Sequence, residues 1–418
     1  MLKIVYPICC GIDVHKKFVV ATVGITNKSG VTNYQTKRFL TFTENLNHLL
    51  EWLKSHSCIN VCMESTGKYW IPVFNILENY CDVIVANPKY VRAIRGKKTD
   101  VKDSIWLCDL HKHGLVYGSF IPPAEIRQIR DLMRYRSKLI SFKSSEKNRI
   151  QNSLTVSNIM LSNIVSDTFG ASSMKIINHL LQDPDDKEFD VEPLLHKNMK
   201  TDPETVAKAI NGNLTDPQAE KMRICFNHLD DIKTHISVLE SVVLDLAQPY
   251  ISEINLIMSM PGIKNIFTAI AIIGEIGTDM SAFHSSKHLC SWAGLTPQNN
   301  ESAGKKKSVR ISRAGVYIKP LLVQCANAVI KDKEFEYFKI RYQQIRKRRG
   351  HKKAIIAIAH MLLNCIYYML ERNETFNYEL YRVDSRPKNS YIPQLNEEMA
   401  VRYLQTLGYQ IPDVVSLT

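Results

Sequence analysis

The sequence contains no Cys-x-x-Cys pair: its ten cysteines are scattered, and Cys9-Cys10 and Cys58 to Cys62 are the closest spacings. That argues against a zinc ribbon, a dithiol redox centre or a disulfide framework, and reads the cysteines as reduced, mostly buried, small apolar residues. A secretory signal is also missing, because Lys3 precedes only a short apolar run broken by Pro7. No window reaches the roughly 18 apolar residues of a membrane span. The expectation is a soluble, intracellular chain with no membrane partner. Internal repeats and low-complexity tracts are absent as well.

What is present is length and positive charge. At 418 residues the chain exceeds what one hydrophobic core usually organises, so two or three domains are expected, and 45% hydrophobic residues support folded ones. Lys and Arg number 54 against 41 Asp and Glu, a net charge of +13. This balance suits a polyanionic partner, the alternative being a basic but inert surface. The excess is local: residues 301–353 hold sixteen Lys/Arg and four Asp/Glu, a net +12.

The first 120 or so residues alternate strand and helix patterns. Ile8–Ile12, Phe18–Val23 and a run near Arg38–Phe42 read as strands, Glu44–Lys54 as an amphipathic helix, Ile59–Met63 as a strand, Tyr69–Glu78 as a helix and Val83–Ala86 as a strand. That order is what an α/β RNase H-like sheet would show, although other α/β folds share it. From Pro123 a basic helix begins, carrying Arg127, Arg130, Arg134, Arg136, Lys138, Lys143, Lys147 and Arg149 among apolar residues. Further on, Met222, Cys225, Leu229, Ile232, Ile236, Leu239, Val243 and Leu246 form a heptad seam. The two long helices are expected to pair as an antiparallel hairpin or across a dimer, as a coiled-coil connector. The expected division is an α/β domain at 1–122, the connector at 123–250 with an insertion at 182–216, a mainly helical domain at 251–373, and a tail at 374–418.

Two acids sit where strands end. Asp13 follows Cys-Cys-Gly-Ile, and Glu64 follows Asn60-Val-Cys-Met. Asp100 and Asp103, three residues apart, share one helix face. If the sheet gathers all four, they can bracket two divalent cations about 3.5–4 Å apart, with Mg²⁺ as the expected cofactor, for phosphoryl transfer. Taken singly each has a plainer reading: Asp13 as a turn cap, Glu64 as a lysine's partner, Asp100 as an N-cap with Asp103 in the first turn.

Four segments, Gly11-Ile-Asp-Val-His-Lys, Met63-Glu-Ser-Thr-Gly-Lys-Tyr-Trp, Ala86-Asn-Pro-Lys-Tyr-Val-Arg and Lys98-Thr-Asp-Val-Lys-Asp-Ser, resemble in order and spacing the DEDD transposases of bacterial and archaeal insertion sequences. These are relatives of RuvC-type resolvases and of pilin-gene invertases. The resemblance implies a RuvC-like N-terminal domain whose metal-binding acids are Asp13, Glu64, Asp100 and Asp103.

Near the C-terminus, Ser259-Met-Pro-Gly-Ile-Lys-Asn before an apolar helix has the form of a helix-hairpin-helix element offering backbone N–H groups to phosphate, or of an ordinary Pro-Gly turn between packed helices. The segment from Trp292 to Gly315 resembles the same family, with Gly294-Leu-Thr-Pro, a serine, a basic patch and Ile311-Ser-Arg-Ala-Gly. Ser302 occupies the position of the family's catalytic serine, although Ala303 stands where many relatives have glycine; Ser308 and Ser312 are rivals. Lys305, Lys306, Lys307, Arg310 and Arg313 are close enough in sequence to neutralise a phosphate under attack. The stretch Lys331–Lys353, with Arg346, Lys347, Arg348 and Arg349 and the interleaved aromatics Phe335, Tyr337, Phe338 and Tyr342, reads as a basic helix or helix pair tracking a phosphate backbone.

The resemblance covers about residues 8–116 and 254–372. It implies a recombinase in which Ser302 forms a covalent phosphoserine link to DNA while the acids hold Mg²⁺, with donor and target DNA and a structured guide RNA as partners. The heptad seam leads to the expectation of a homo-oligomer, dimer or tetramer, and the expected location is the prokaryotic cytoplasm, at the nucleoid. The alternatives are a RuvC-like junction nuclease without a covalent intermediate, and an inactive nucleic-acid-binding protein.

Overall fold

The computed structural model describes residues 2–65, 67–87, 91, 99–184, 186, 189–197, 199–297, 300–302, 305–308 and 310–381, with the backbone alone at 300–302 and 305–308. The chain divides into two compact units, residues 1–132 and 133–418.

The first unit is built on β1 (Ile8–Val14), β2 (Phe18–Thr26), β3 (Thr32–Leu40), β4 (Asn60–Glu64) and β5 (Asp82–Ala86). They form one mixed sheet in the order β3-β2-β1-β4-β5. β1, β2 and β3 are antiparallel neighbours, while β4 and β5 run parallel to β1, as strands joined by helical crossovers do. Helices α1 (Thr43–Ser55) and α2 (Trp70–Leu77) make those crossovers. Their Leu46, Leu49, Leu53, Val73, Phe74 and Leu77 bury against Cys10, Ile12 and Val14 of β1 and Val61 and Met63 of β4. Alternation along a strand then sends Cys9, Gly11 and Asp13 to the opposite face, which α3 (Asp100–Lys112) covers.

β3 corrects a sequence expectation. It runs from Thr32 to Leu40 rather than near Arg38–Phe42, and its burial is confined almost wholly to Phe39. An edge strand with one buried apolar residue carries little periodic signal; the hairpin turn with Gly30 at φ 83° sets where it begins.

In the second unit, two long helices dominate the first half: α4 (Ala124–Val156), which begins in the first unit, and α8 (Asp216–Ala247). They run antiparallel, since Arg136 Nε donates to Glu240 Oε1 at 2.7 Å and His228 Nδ1 lies 3.0 Å from Glu146 Oε1. Of the seam on α8, Met222, Cys225, Leu229, Ile232 and Val243 are buried, and Ile236, Leu239 and Leu246 half-buried. Between the long helices, α5 (Leu161–Ile164), α6 (Ala171–Gln182) and α7 (Pro203–Ile210) share one core with Ile150, Leu154, Met222 and Cys225.

The remaining helices are α9 (Ile251–Met258), α10 (Ile266–Ile276), α11 (Ser286–Trp292), α12 (Ile318–Val329), α13 (Tyr337–Arg349) and α14 (His351–Arg372), with a two-stranded hairpin of β6 (Asn300–Ser302) and β7 (Lys305–Ser308) after α11. Among the described residues, α14 alone is long and apolar enough to cross a membrane, contrary to the sequence reading that no such window exists. Its Ile358, Ala359, Leu362, Leu363 and Ile366 are wholly buried, and α9, α11, α12 and α13 pack on it, so it is a core helix of this unit. All ten cysteines are free and buried, as their scatter suggested.

Candidate active site

The acidic site grows from one close approach of helix to sheet. A side chain on Gly11 would put its Cβ 2.3 Å from both the Ser104 carbonyl oxygen and the Cys108 nitrogen, so only glycine lets α3 lie this near β1. Thr22 Oγ1 hydrogen-bonds Ser104 Oγ at 2.7 Å, and Lys112 Nζ bonds Asp109 at 2.7 Å and Tyr34 and Thr32 at 3.1 Å, tying both ends of α3 to β2 and β3. Thr99 caps α3, accepting from the Lys102 N–H. The N-cap role weighed for Asp100 therefore falls to Thr99, and Asp100 and Asp103 stand in the first turn.

Two residues beyond Gly11 on the same face, Asp13 meets that first turn and is only 7% exposed. Burial raises its carboxyl above the ordinary aspartate range; His15 opposes the shift, while Asp103 and Asp100 push it further up. The donor atoms of Asp13, His15 and Asp100 lie within 4.8 Å of one another. Glu64 and Asp103 fall outside that tight group. Even so, the β1–β4 register, ending at Ile12↔Met63, puts Glu64 one step on, beside Asp13. Glu64 also follows Cys62, which packs with Leu107 on the α3 side. One strand-end face thus presents Asp13 and Glu64, and Asp103 is close enough to act on Asp13 electrostatically.

This donor set fits a hard divalent cation. Carboxylates crowded at a half-closed strand end raise one another's cost of ionisation, and a cation between them reverses that penalty. His15 is the residue passed over in the sequence. Its signal was the Asp-x-His spacing, since residues two apart on a strand share a face.

The other candidates lie in the second unit. Ser302 ends β6 with Lys305 opposite, and Glu301 pairs with Lys306, so the backbone brings the serine and the lysine run to one hairpin. The side chains of Ser302, Lys305, Lys306, Lys307 and Ser308 lie outside the described residues, as do the motif positions 88–90 and 92–98 and the tail from 382. Ser312 is engaged locally: its hydroxyl accepts from the Ala314 N–H and its carbonyl from Lys319 Nζ. The base of the hairpin is pinned by two glycines back to back. Gly294 (φ 68°) and Gly315 (φ 66°) leave no room for a Cβ, which would meet Ala314 O at 2.5 Å and Ala293 O at 2.0 Å. The Gly-Leu-x-Pro and Ile-Ser-x-x-Gly segments are the two halves of that clasp, closed by a Pro297↔Ile311 bridge.

At the Ser259–Asn265 turn, Gly262 (φ 84°) sits against Val329 and Cys325, and Asn265 caps α10. Beside it opens a cavity of about 650 Å³ lined in part by Lys264, Lys331 and Lys333 with Asp332 and Glu334. Phe376 N–H and Tyr378 O–H donate to Ser259 from beyond α14.

The aromatics of Lys331–Lys353 require a correction: they do not interleave with the basic residues on a nucleic-acid surface. Phe335, Phe338 and Tyr342 are buried, and Phe335 and Phe338 join Phe376 and Tyr381 in a ring cluster. Arg346, Lys347, Arg348 and Arg349 are exposed at the end of α13, and Arg310 and Arg313 are exposed as well. The helix pair itself is observed, broken at Gly350 with φ 80°. Lys352 and Lys353 follow in the first turn of α14, where no acid offsets them. Cations are disfavoured at a helix N-terminus, so Lys352 and Lys353 stand against the helix dipole.

Comparison with known proteins agrees with this arrangement. A DEDD-type transposase family model matches residues 10–159, and a second, described as the transposase IS116/IS110/IS902 family, matches residues 254–343. The transposase for insertion sequence element IS1111A of Coxiella burnetii is 30% identical over 127 residues, 29% of this chain and 33% of that protein. A probable family 20 transposase of Pseudomonas aeruginosa is 22% identical over 329 residues, 76% of this chain and 85% of the relative. A pilin gene-inverting protein of Moraxella lacunata is 29% identical over 137 residues, 30% of this chain and 39% of its own length. Both family models fall on the segments that build the acidic strand-end site and the glycine-clasped hairpin, and in the same order, so the chain belongs to the IS110-type family of insertion-sequence transposases.

Proposed function

We propose that this protein is a DNA transposase or recombinase whose metal-binding acids are Asp13, Glu64, Asp100 and Asp103 and whose nucleophile is Ser302. The carrying observation is the meeting of Asp13 with Asp100 at the strand end that α3 covers, within a family-matched segment. A sheet of order β3-β2-β1-β4-β5, with its first three strands antiparallel, supports an RNase H-like, RuvC-like reading of residues 1–122. The antiparallel α4–α8 pair supports a coiled-coil connector at 123–250 with its insertion at 182–216, followed by the serine-bearing domain at 251–373 and the tail at 374–418.

A divalent cation, Mg²⁺ in the family reading, would supply charge neutralisation at the phosphate and at the attacking and leaving oxygens. The chain's own groups do the rest. Asp13, Glu64, Asp100 and Asp103 would hold that cation at the end of the central strand β1. The Ser302 oxygen attacks phosphorus, its proton passes to a base, and a deoxyribose oxygen leaves. Reversal with a different deoxyribose hydroxyl rejoins DNA with no outside energy source. Lys305, Lys306, Lys307, Arg310 and Arg313 counter the phosphate charge. Arg346, Lys347, Arg348 and Arg349 position the backbone of donor DNA, target DNA or a structured guide RNA without reading bases. A homo-oligomer, dimer or tetramer, acting at the nucleoid in the prokaryotic cytoplasm, completes the reading.

The test is strand transfer by purified protein with its element's DNA, the RNA encoded beside the gene, and a divalent cation. Asp13→Ala and Ser302→Ala should each abolish joining, and Ser302→Ala should also abolish a denaturation-resistant protein–DNA adduct. Joining retained by either variant removes the role assigned to that residue. DNA cleavage with no adduct from the wild-type protein selects the junction-nuclease reading instead.

A further inference from the structure

The acid site contains a nitrogen donor that the four-carboxylate scheme leaves unused. His15 Nε2 lies 3.1 Å from Asp13 Oδ2 and 3.5 Å from Asp100 Oδ1. A single ring N–H can point along only one of those lines, whereas one lone pair aimed between the carboxylates serves a shared third party. Around a cation with bonds of about 2.1 Å, adjacent octahedral ligands are separated by about 3 Å. Both spacings from the imidazole nitrogen are therefore already near that separation.

The imidazole is also held in place. The backbone N–H of His15 donates to the Phe18 carbonyl at 2.9 Å, closing the β1–β2 hairpin and fixing where the side chain starts. Its ring lies 4.7 Å from that of Phe18, which in turn carries the Arg38 guanidinium at 3.6 Å. A histidine serving only as a surface cap has no need of such a platform. Neutral imidazole adds a ligand without adding negative charge to a crowded acidic face, and it suits first-row transition metals better than Mg²⁺, which favours all-oxygen shells.

We propose that the centre is a mixed nitrogen–oxygen site in which His15 Nε2 ligates the cation together with Asp13 and Asp100, giving it a preference for Mn²⁺ over Mg²⁺. This deepens the carboxylate reading above and rests on it.

The test uses the full chain loaded with Mn²⁺ and pulsed electron paramagnetic resonance, which detects a directly bonded imidazole nitrogen independently of turnover. Wild-type protein should show histidine ¹⁴N modulation that changes when the protein is labelled with ¹⁵N-histidine. His15→Gln should lose the modulation and bind Mn²⁺ at least about tenfold more weakly, with Mg²⁺ affinity changed by less than about threefold. Mn²⁺ bound by the wild-type protein with no nitrogen coupling overturns the His15 assignment and leaves the carboxylates standing. Mn²⁺ that remains fully hydrated in both wild-type protein and Asp13→Asn overturns the carboxylate site and His15 with it. Because the labelling experiment is done on wild-type protein, its result does not depend on how a variant folds.

Discussion

Replacing Gly11 with alanine should damage both stability and the acidic site, because one missing methyl group sets the distance between α3 and the sheet. The new carbon would stand 2.3 Å from Ser104 O and from Cys108 N, both backbone atoms that no rotamer change can move aside. Comfortable carbon contacts need about 3.5 Å or more, so α3 must retreat by over about 1 Å. Overpacking of that kind costs about 1–3 kcal/mol, and the retreat also weakens the Thr22–Ser104 hydrogen bond of 2.7 Å. In a unit of this size the loss corresponds to a fall in Tm of roughly 4–12 °C. The same retreat carries Asp100 away from Asp13, spreading donors that now fit within 4.8 Å. Mn²⁺ affinity should then drop by about tenfold or more, a scale typical of disturbed ligand support. Differential scanning calorimetry and a Mn²⁺ titration on the same preparation measure both effects. A Gly11→Ala protein with unchanged Tm and unchanged Mn²⁺ affinity would falsify the claim that this contact positions the site.

Arg134→Met should destabilise the second unit by about 1–3 kcal/mol, because Arg134 binds Glu275 through two hydrogen bonds of 2.7 and 2.9 Å and its removal takes a charged partner from a buried carboxylate. Urea titration should show most of the loss recovered in Arg134→Met/Glu275→Met, and no recovery would argue against the pairing. Burial pushes the His111 imidazole down from 6.5 to about 4, and neither ring nitrogen has a hydrogen-bond partner among the described residues. The unfolded chain takes up that proton first, so stability is full above about pH 6.5 and falls as the pH drops toward 4, by up to about 3 kcal/mol. His111→Phe, which keeps the stacking on Tyr6, should flatten this part of the stability profile; an unaltered slope would assign it to other groups. Changing Arg346, Lys347, Arg348 and Arg349 together to glutamine should reduce the slope of log K against log salt for DNA binding by roughly 2–4. A fluorescence titration across salt concentrations that finds the same slope removes this corner from the interface.

Much of the first unit is legible in sequence because its chemistry is periodic. Apolar runs mark β1, β2, β4 and β5, a helical stripe marks α1, and the three-residue spacing of Asp100 and Asp103 already puts them on one face. The heptad steps likewise announce α8. What escaped were features whose meaning depends on a partner distant in the chain. β3 has a polar sequence and is a strand because β2 offers it an edge. Phe335, Phe338 and Tyr342 are interspersed with basic residues in sequence, yet they turn inward, Phe335 and Phe338 to a cluster with Phe376 and Tyr381, and Tyr342 to His351.

The local chemistry therefore belonged to the sequence: which residues can be acids at strand ends, which segment is basic, which serine follows the Gly-Leu-Thr-Pro turn. The tertiary structure alone decided which of these groups meet. Asp13 and Asp100 are 87 positions apart in the chain, and their approach depends on Gly11 having no side chain beneath α3. Likewise, Gly294 and Gly315 show their purpose only as backbone against backbone. Close approach is a property of two surfaces at once, and a linear pattern records each surface separately.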